Sequence, residues 1–272
     1  LSASILGATF DAAFAAHETR EDRLLGGRVR LLQPLKGYRA ATDPVLLAAA
    51  APARPGERVL DLGCGAGAAA FCLAARVPGL ELHGLEIQPA YLALAQENAR
   101  LNGVAITLHE GDVAAPPRAL RQLAFDQVML NPPYHAGTAV ASPVAGRDMA
   151  HREGAGEGGV SLGDWIAAAL ARLKPKGWLS VIHRAERAPE LLRLLDGPAG
   201  AIALLPLVSR AGREAGRVII RARKGAKAPF RLLSPLVLHA GSAHVRDEDD
   251  FSPEAAAILR DAAALDFPER TT

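Results

Sequence analysis

Between residues 58 and 130, short apolar runs alternate with helical patterns, which restricts the chain to a parallel sheet with helices on both faces. The apolar runs predict strands over 58–62, 80–87, 104–109 and 125–130. The intervening segments predict helices over 68–75 and 89–101, the second closed by Asn102-Gly103, and a short helix opened by Pro116-Pro117. Ligands of such sheets lie at the carboxyl ends of the strands. Asp61, Glu86, Asp112 and Asn131 stand there, one polar side chain for each strand.

The first strand runs into Gly63-Cys64-Gly65-Ala66-Gly67. Glycines let the backbone approach a ligand closely, and the helix that follows offers unpaired N–H groups at its start. Gly63-x-Gly65-x-x-Ala68, with Glu86 downstream, would also suit a dinucleotide. The glycines alone therefore leave the cofactor open.

The fourth strand ends at Asn131-Pro132-Pro133-Tyr134. Pro132 has no N–H for a sheet ladder and disfavours helix at Asn131, so the strand stops there. Two successive prolines fix the backbone path, leaving the Asn131 amide and adjacent carbonyls at the sheet edge beside an aromatic face. Such a corner can accept hydrogen bonds from a flat amino-bearing group and stack on it. Asn-Pro by itself reads as an ordinary turn.

The chain has 272 residues, half of them hydrophobic, enough to bury a full core. The net charge of +2 requires any nucleic-acid footprint to be local. Cys64 and Cys72, the two cysteines, have no metal or redox spacing, which suits a reducing cytoplasm. No apolar run approaches membrane-spanning length. His135, His151 and His183 show no metal-site spacing and read as neutral loop or strand-end residues, so no metal is expected.

Residues 1–54 read as an N-terminal extension and 55–272 as the main domain. The extension predicts a short helix over 8–17 and a hairpin over 22–33 around Gly26-Gly27. A buried helix over 45–51 follows, with Thr42 or Asp43 as its cap. Residues 135–160 are glycine-rich, with Arg147, His151, Arg152 and Glu153 embedded, and predict a mobile loop over the site. Beyond them the patterns predict a helix from Ser161, capped through Asp164 and with Trp165 packed at its start, then a strand over 178–183. A helix over 186–195, a strand over 201–208, a final strand or extended segment over 232–239 and a terminal helix over 253–264 complete the expectation. Between them lies the most basic segment, 209–231, with a strand through Val218-Ile219-Ile220.

Asp61-Leu62-Gly63-Cys64-Gly65-Ala66-Gly67, Gly111-Asp112 and Asn131-Pro132-Pro133-Tyr134 together resemble the motifs of class I S-adenosylmethionine-dependent methyltransferases that act on conjugated amines. The resemblance implies a Rossmann-like α/β fold, a mostly parallel seven-stranded sheet with a small hairpin and helix in front. It also implies S-adenosylmethionine as cofactor. Asp61 would take the methionine amino group, directly or through water, and Glu86 the ribose hydroxyls. Ile87 would lie against the adenine, and Asp112, with Val113 beside it, would reach it. Gly63, Gly65 and Gly67 would floor the site. Gln33-Pro34-x-x-Gly37-Tyr38-Arg39-Ala40-x-x-Asp43 resembles the bacterial enzymes that methylate N6 of the adenine beside the anticodon of valine tRNA. In that likeness Gly37, Tyr38 and Arg39 close over the cofactor.

By the same resemblance Asn131, Pro132, Pro133 and Tyr134 are catalytic. The Asn131 side-chain oxygen and the Pro132 carbonyl would accept the two amine hydrogens and aim the nitrogen lone pair at the methyl group, while Tyr134 stacks on an extruded base. The basic segment agrees with a tRNA partner, with Arg213, Arg217, Arg221, Arg223 and Lys224 as candidate phosphate contacts; a solvated charged face is the alternative. Ribosomal guanine N2, a protein glutamine, a small molecule or an oxygen acceptor remain alternative substrates. A cofactor-binding module without catalysis is opposed by the intact tetrapeptide. The sequence leaves the oligomeric state open.

Overall fold

A computed structural model describes residues 18–133, 135–136, 152–153, 159–241 and 250–268. The predicted helix over 8–17, Tyr134, Arg147 and His151 lie outside the described residues. The core is one sheet. Its parallel part comprises β3 (Arg58–Leu62), β4 (Glu81–Glu86), β5 (Ile106–Glu110), β6 (Phe125–Leu130) and β9 (Leu173–Arg184). β10 (Ala199–Val208) and β11 (Ala215–Lys224) complete the seven longer strands, and β11 runs antiparallel to both β9 and β10. Two further two-residue strands, β12 (Arg231–Leu232) and β13 (Leu236–Val237), lie beside β10 and bring the sheet to nine strands against the seven expected. They fall on the final strand or extended segment expected over 232–239, which the structure divides into two short pieces. Apart from this sheet, β7 (His135–Ala136) and β8 (Arg152–Glu153) form a separate parallel pair.

The strand order is β12-β10-β11-β9-β6-β3-β4-β5. The chain enters at β3, winds outward through β4 and β5, and returns to the other side of β3 as β6. That reversal opens a crevice at the carboxyl ends of β3 and β6. Along the strands, residues alternate between two cores. Val59, Met129, Ile182 and Ile219 pack on one face beneath α1 (Thr42–Ala50), α2 (Ala68–Arg76), α3 (Pro89–Asn102) and α7 (Pro253–Asp261). Leu60, Val128, Val181 and Ile220 pack on the other beneath α4 (Arg118–Arg121), α5 (Leu162–Arg172) and α6 (Ala188–Leu195).

Ahead of the sheet, β1 (Thr19–Leu24) and β2 (Val29–Pro34) form the expected hairpin around Gly26 and Gly27. β2 docks edge-on against α3. Asn102 accepts the Arg30 N–H at 2.9 Å and donates to the Arg30 carbonyl at 2.7 Å. Asn98, one turn earlier, does the same for Leu32. Two side-chain amides thus satisfy backbone groups of a strand edge that would otherwise stay unpaired.

Several expected boundaries move. α1 begins at Thr42 with Ala41 at its N-cap, and neither Thr42 nor Asp43 caps it; the Asp43 carboxylate instead accepts from Arg217 Nε at 3.1 Å. An ion pair to a distant strand has outcompeted local capping. β9 starts at Leu173, five residues before the expected strand, with Lys176 at φ +63° at its irregular beginning. α6 starts at Ala188 and α7 ends at Asp261, closed by Ala262 in the left-handed region. The Ser161–Asp164 capping box forms as expected.

Candidate active site

The crevice is a cavity of about 270 Å³. Its floor is the loop after β3. Gly63, at φ +74°, has a conformation that side chains rarely adopt, and an added Cβ would sit 2.5 Å from the Trp165 ring. Gly65, at φ +54°, has no atom of the described residues beyond its own chain neighbours within 4 Å of where its Cβ would lie, so its bare face is open among them. Gly67 is the left-handed N-cap of α2, packed against Phe71, and does not line the cavity.

Asp61 and Glu86 are buried, 4% and 6% exposed, and both line the cavity. Asp61 Oδ2 accepts the Ala70 N–H at 3.2 Å. Glu86 accepts from the Gly65 N–H and the Gln88 N–H, each at 2.9 Å, and so sets the geometry of the glycine loop. Burial pushes the Asp61 carboxyl up to about 7, against its hydrogen bond from Ala70, and the neighbouring Glu86 charge adds to the rise. Burial also raises Glu86, while the N–H groups of Gln88 and Gly65 oppose it. The Cys64 thiol, pushed well up by burial, stays protonated.

The second wall is an apolar slot. Ile87 is 48% exposed at its edge, with buried Leu85 and Val113 beside it. Asp112 follows Gly111 and caps its own turn by accepting the Ala114 N–H at 2.8 Å. The third wall is Asn131-Pro132-Pro133, closed by Gly159, Val160 and Trp165. Of the glycine-rich stretch 135–160, β7 and β8 pair with each other, and Gly159 and Val160 reach the cavity. Its remaining residues lie outside the described part.

Asn131 Oδ1 is buried with no hydrogen-bond partner among the described residues. Its Nδ2 donates to the Tyr38 hydroxyl at 3.3 Å. Tyr38 lines the cavity, but Arg39 does not: its guanidinium donates to Asp22 of the hairpin at 2.6 Å. Gln33 lines the cavity too and clamps the Tyr38 loop, accepting the Ala40 N–H at 2.6 Å and donating to the Ala40 carbonyl at 3.0 Å.

His183, at the end of β9, is fully buried and its ring meets the Pro133 main chain. Its Nδ1 accepts the Arg184 N–H at 2.8 Å. Burial lowers it to about 4, reinforced by the positive charges of Arg187, Arg217 and Arg184, so it is neutral at physiological pH.

The basic segment does not form one face at this site. β11 leaves the cavity end of the sheet, where Arg217 pairs in register with Arg184, and runs away from it. Lys224 lies seven residues further, about 23 Å at the usual strand rise. Arg221 stacks on the rings of Trp178 and Phe267, and burial lowers it to about 10. Arg223 donates to the Lys176 carbonyl and Lys224 to the Leu173 carbonyl. Arg213 is exposed in the turn before β11, at the cavity end.

The cavity can be tested against its implied ligands. Asp61, Glu86 and Asp112 line it, and no Lys or Arg does among the described residues. A dinucleotide pyrophosphate would face buried carboxylates, an arrangement electrostatics opposes. A ligand with a cationic sulfonium and ammonium, a diol and a flat base matches the acids, the bare Gly65 face and the Ile87–Val113 slot. A cavity of this kind, at the switch point of such a sheet, defines an S-adenosylmethionine-dependent methyltransferase.

The chain belongs to the methyltransferase small domain family, whose model matches residues 41–196. It is 31% identical over 192 residues to the tRNA1(Val) (adenine(37)-N6)-methyltransferase of Aeromonas hydrophila, covering 69% of this chain and 77% of that relative. A release factor glutamine methyltransferase of Geobacter sulfurreducens is 36% identical over 128 residues, 45% of this chain and 44% of the relative. The crystal structure of a predicted O-methyltransferase from Agrobacterium tumefaciens superposes with a TM-score of 0.65 at 26% identity, covering 82% of this chain and 98% of that one. The enzyme is thus an S-adenosylmethionine-dependent methyltransferase, as its motifs implied.

Trp165, read from sequence as packing, proves to be part of the cavity wall, and Gln33 proves to clamp the Tyr38 loop. A tryptophan in the first turn of a capped helix directly after a glycine-rich loop was the available signal for the first.

Proposed function

We propose that this enzyme methylates the exocyclic N6 of an adenine in tRNA. The observation that carries the reading is the buried Asn131 Oδ1 at the cavity wall, which has no hydrogen-bond partner among the described residues. A buried acceptor without a donor is costly, and an amine N–H of the acceptor base would satisfy it. The Pro132 carbonyl would take the second hydrogen. An adenine amine is a weak nucleophile because its lone pair is delocalised into the ring. Holding both hydrogens draws the nitrogen toward tetrahedral geometry and aims the lone pair at the cofactor. When bound, S-adenosylmethionine supplies the methyl group as an activated sulfonium. Asp61 would hold its amino group, Glu86 its ribose, and Ile87, Asp112 and Val113 its adenine; Tyr134 would stack on the acceptor.

The tRNA choice is supported by the names of the relatives that match over most of the chain and by positive charge around the acceptor corner. Arg184, Arg187 and Arg217 come from different elements and all act on His183 beside Pro133. With Arg213 they would contact phosphates and position the loop without reading its sequence. In this reading residues 1–54 are an extension closing the cofactor site on the domain 55–272, and the enzyme works in the cytoplasm. Among the described residues no helix is long and apolar enough to cross a membrane.

The test is incubation with labelled S-adenosylmethionine and unmodified bulk tRNA, followed by digestion to nucleosides and mass identification. N6-methyladenosine is the expected product. Unlabelled tRNA with cofactor binding intact would overturn the reading in favour of ribosomal RNA, a protein glutamine or a small amine.

A further inference from the structure

An asparagine amide has two chemically opposite ends. Asn131 can accept an amine hydrogen only with Oδ1 toward the acceptor; the flipped amide would set N–H against N–H. The Asn131 backbone is fixed by the strand before it and the prolines after it, but neither fixes the rotation of the terminal amide.

We propose that Tyr38 is a positioning residue that orients the Asn131 amide, so that the N-terminal hairpin loop controls the catalytic corner. The inference rests on the amine-acceptor reading above. The Tyr38 hydroxyl lies 3.3 Å from Asn131 Nδ2, while Oδ1 has no partner among the described residues. A hydroxyl can donate or accept, so its own proton must be committed elsewhere for the contact to select one end of the amide. The Asp43 charge acts on the Tyr38 hydroxyl, more strongly than that of Asp61. A negative charge at Asp43 favours the hydroxyl rotamer that turns its proton toward that charge and leaves a lone pair for the Asn131 N–H. Arg217 fixes Asp43 through its 3.1 Å bond.

The tyrosine is itself held on several sides. The Tyr91 hydroxyl donates to its main-chain carbonyl at 3.0 Å. Gln33 clamps Ala40 on both sides of the peptide, and Gln33 and Arg39 both donate to Asp22 of β1, at 2.8 and 2.6 Å. Hydrogen bonds therefore run from the hairpin to the amide that meets the substrate.

The test is Tyr38→Phe, which keeps the ring against the cavity and removes only the hydroxyl. The expected result is a fall in kcat of about tenfold or more, since small misplacement of reacting groups is costly, with the dissociation constant for S-adenosylmethionine within about twofold of the native value. A double-mutant cycle separates orientation from general packing: in an Asn131→Ala background, Tyr38→Phe should lower the residual rate by less than about twofold. Equal losses in both backgrounds would overturn the proposal, as would an unchanged kcat. A second readout needs no acceptor. The Asn131 side-chain amide resonance in ¹⁵N-labelled protein should shift, and its hydrogens exchange faster, in Tyr38→Phe. An unchanged resonance would sink the orientation claim even where tRNA methylation stands. Failure of native enzyme to label tRNA would sink only the choice of acceptor.

Discussion

Asn98 of α3 donates from its side-chain amide to the main-chain carbonyl of Ala66 in the cofactor loop, at 3.0 Å. The same fully buried amide accepts the Leu32 N–H at 2.7 Å and donates to the Leu32 carbonyl at 3.0 Å. One side chain therefore joins the hairpin edge to the glycine loop, and the hairpin cannot shift without disturbing the floor of the site.

Asn98→Ala should leave the Leu32 N–H and two carbonyls without partners. An unsatisfied buried polar group costs about 1–3 kcal/mol, so the loss of stability should be about 2–4 kcal/mol after relaxation. Urea unfolding measures it. Affinity for S-adenosylmethionine should fall as well, because Ala66 sits in the loop; an affinity loss with unchanged stability would show that the amide acts on the ligand directly.

Asp61 predicts a pH dependence with a definite sign. Its folded pKa, about 7, lies above the usual aspartate value of 3.8. The folded state therefore binds the proton more tightly than the unfolded state. This contribution favours folding fully below about pH 4 and is lost as pH rises to about 7. Stability of Asp61→Asn relative to the native protein should accordingly rise with pH across that window, in urea titrations. Cofactor binding should show the complementary effect. Holding an ammonium needs the carboxylate, so at pH 6 binding should release protons, seen by calorimetry in buffers of different ionisation enthalpy. Absence of proton release in the native protein would remove Asp61 from the ligand set.

Gly63→Ala places a methyl 2.5 Å from the Trp165 ring at a φ of +74°. Crowding and left-handed strain together should cost about 2–4 kcal/mol. Adding Trp165→Leu should recover the crowding part, while the backbone part persists. Thermal melts of the two variants separate them; full recovery would mean that the backbone strain is negligible.

Arginine substitutions distinguish the two ends of β11. Arg187→Ala and Arg184→Ala should weaken tRNA binding and each reduce its salt slope by about 1. Arg223→Ala, at the far end, should leave both nearly unchanged. Filter binding across a salt series checks this, and the reverse pattern would move the RNA to the opposite edge of the sheet.

What the sequence determined alone are the features whose cause lies within a few residues. Strand and helix periodicity is local, and it located the parallel half of the sheet. A glycine loop between a strand and a helix, and a strand stopped by Pro132-Pro133, carry their geometry in their own backbone restrictions, so local pattern alone assigns Asp61, Glu86 and Asn131 to one edge of the sheet. The commitments of side chains were decided by tertiary structure. Asp43 reads as a helix cap until β11 brings Arg217, 174 residues away, into reach. The run from Arg213 to Lys224 reads as one basic patch, but an antiparallel strand spreads it along the height of the sheet and buries Arg221 between two rings. The contact from Asn131 to Tyr38 spans 93 residues and leaves no trace in either local pattern. Hydrogen bonds and ion pairs act over a few ångströms in space whatever the separation along the chain, and so the fold, and not the local sequence, decided which polar groups of this enzyme are spent on structure and which face the substrate.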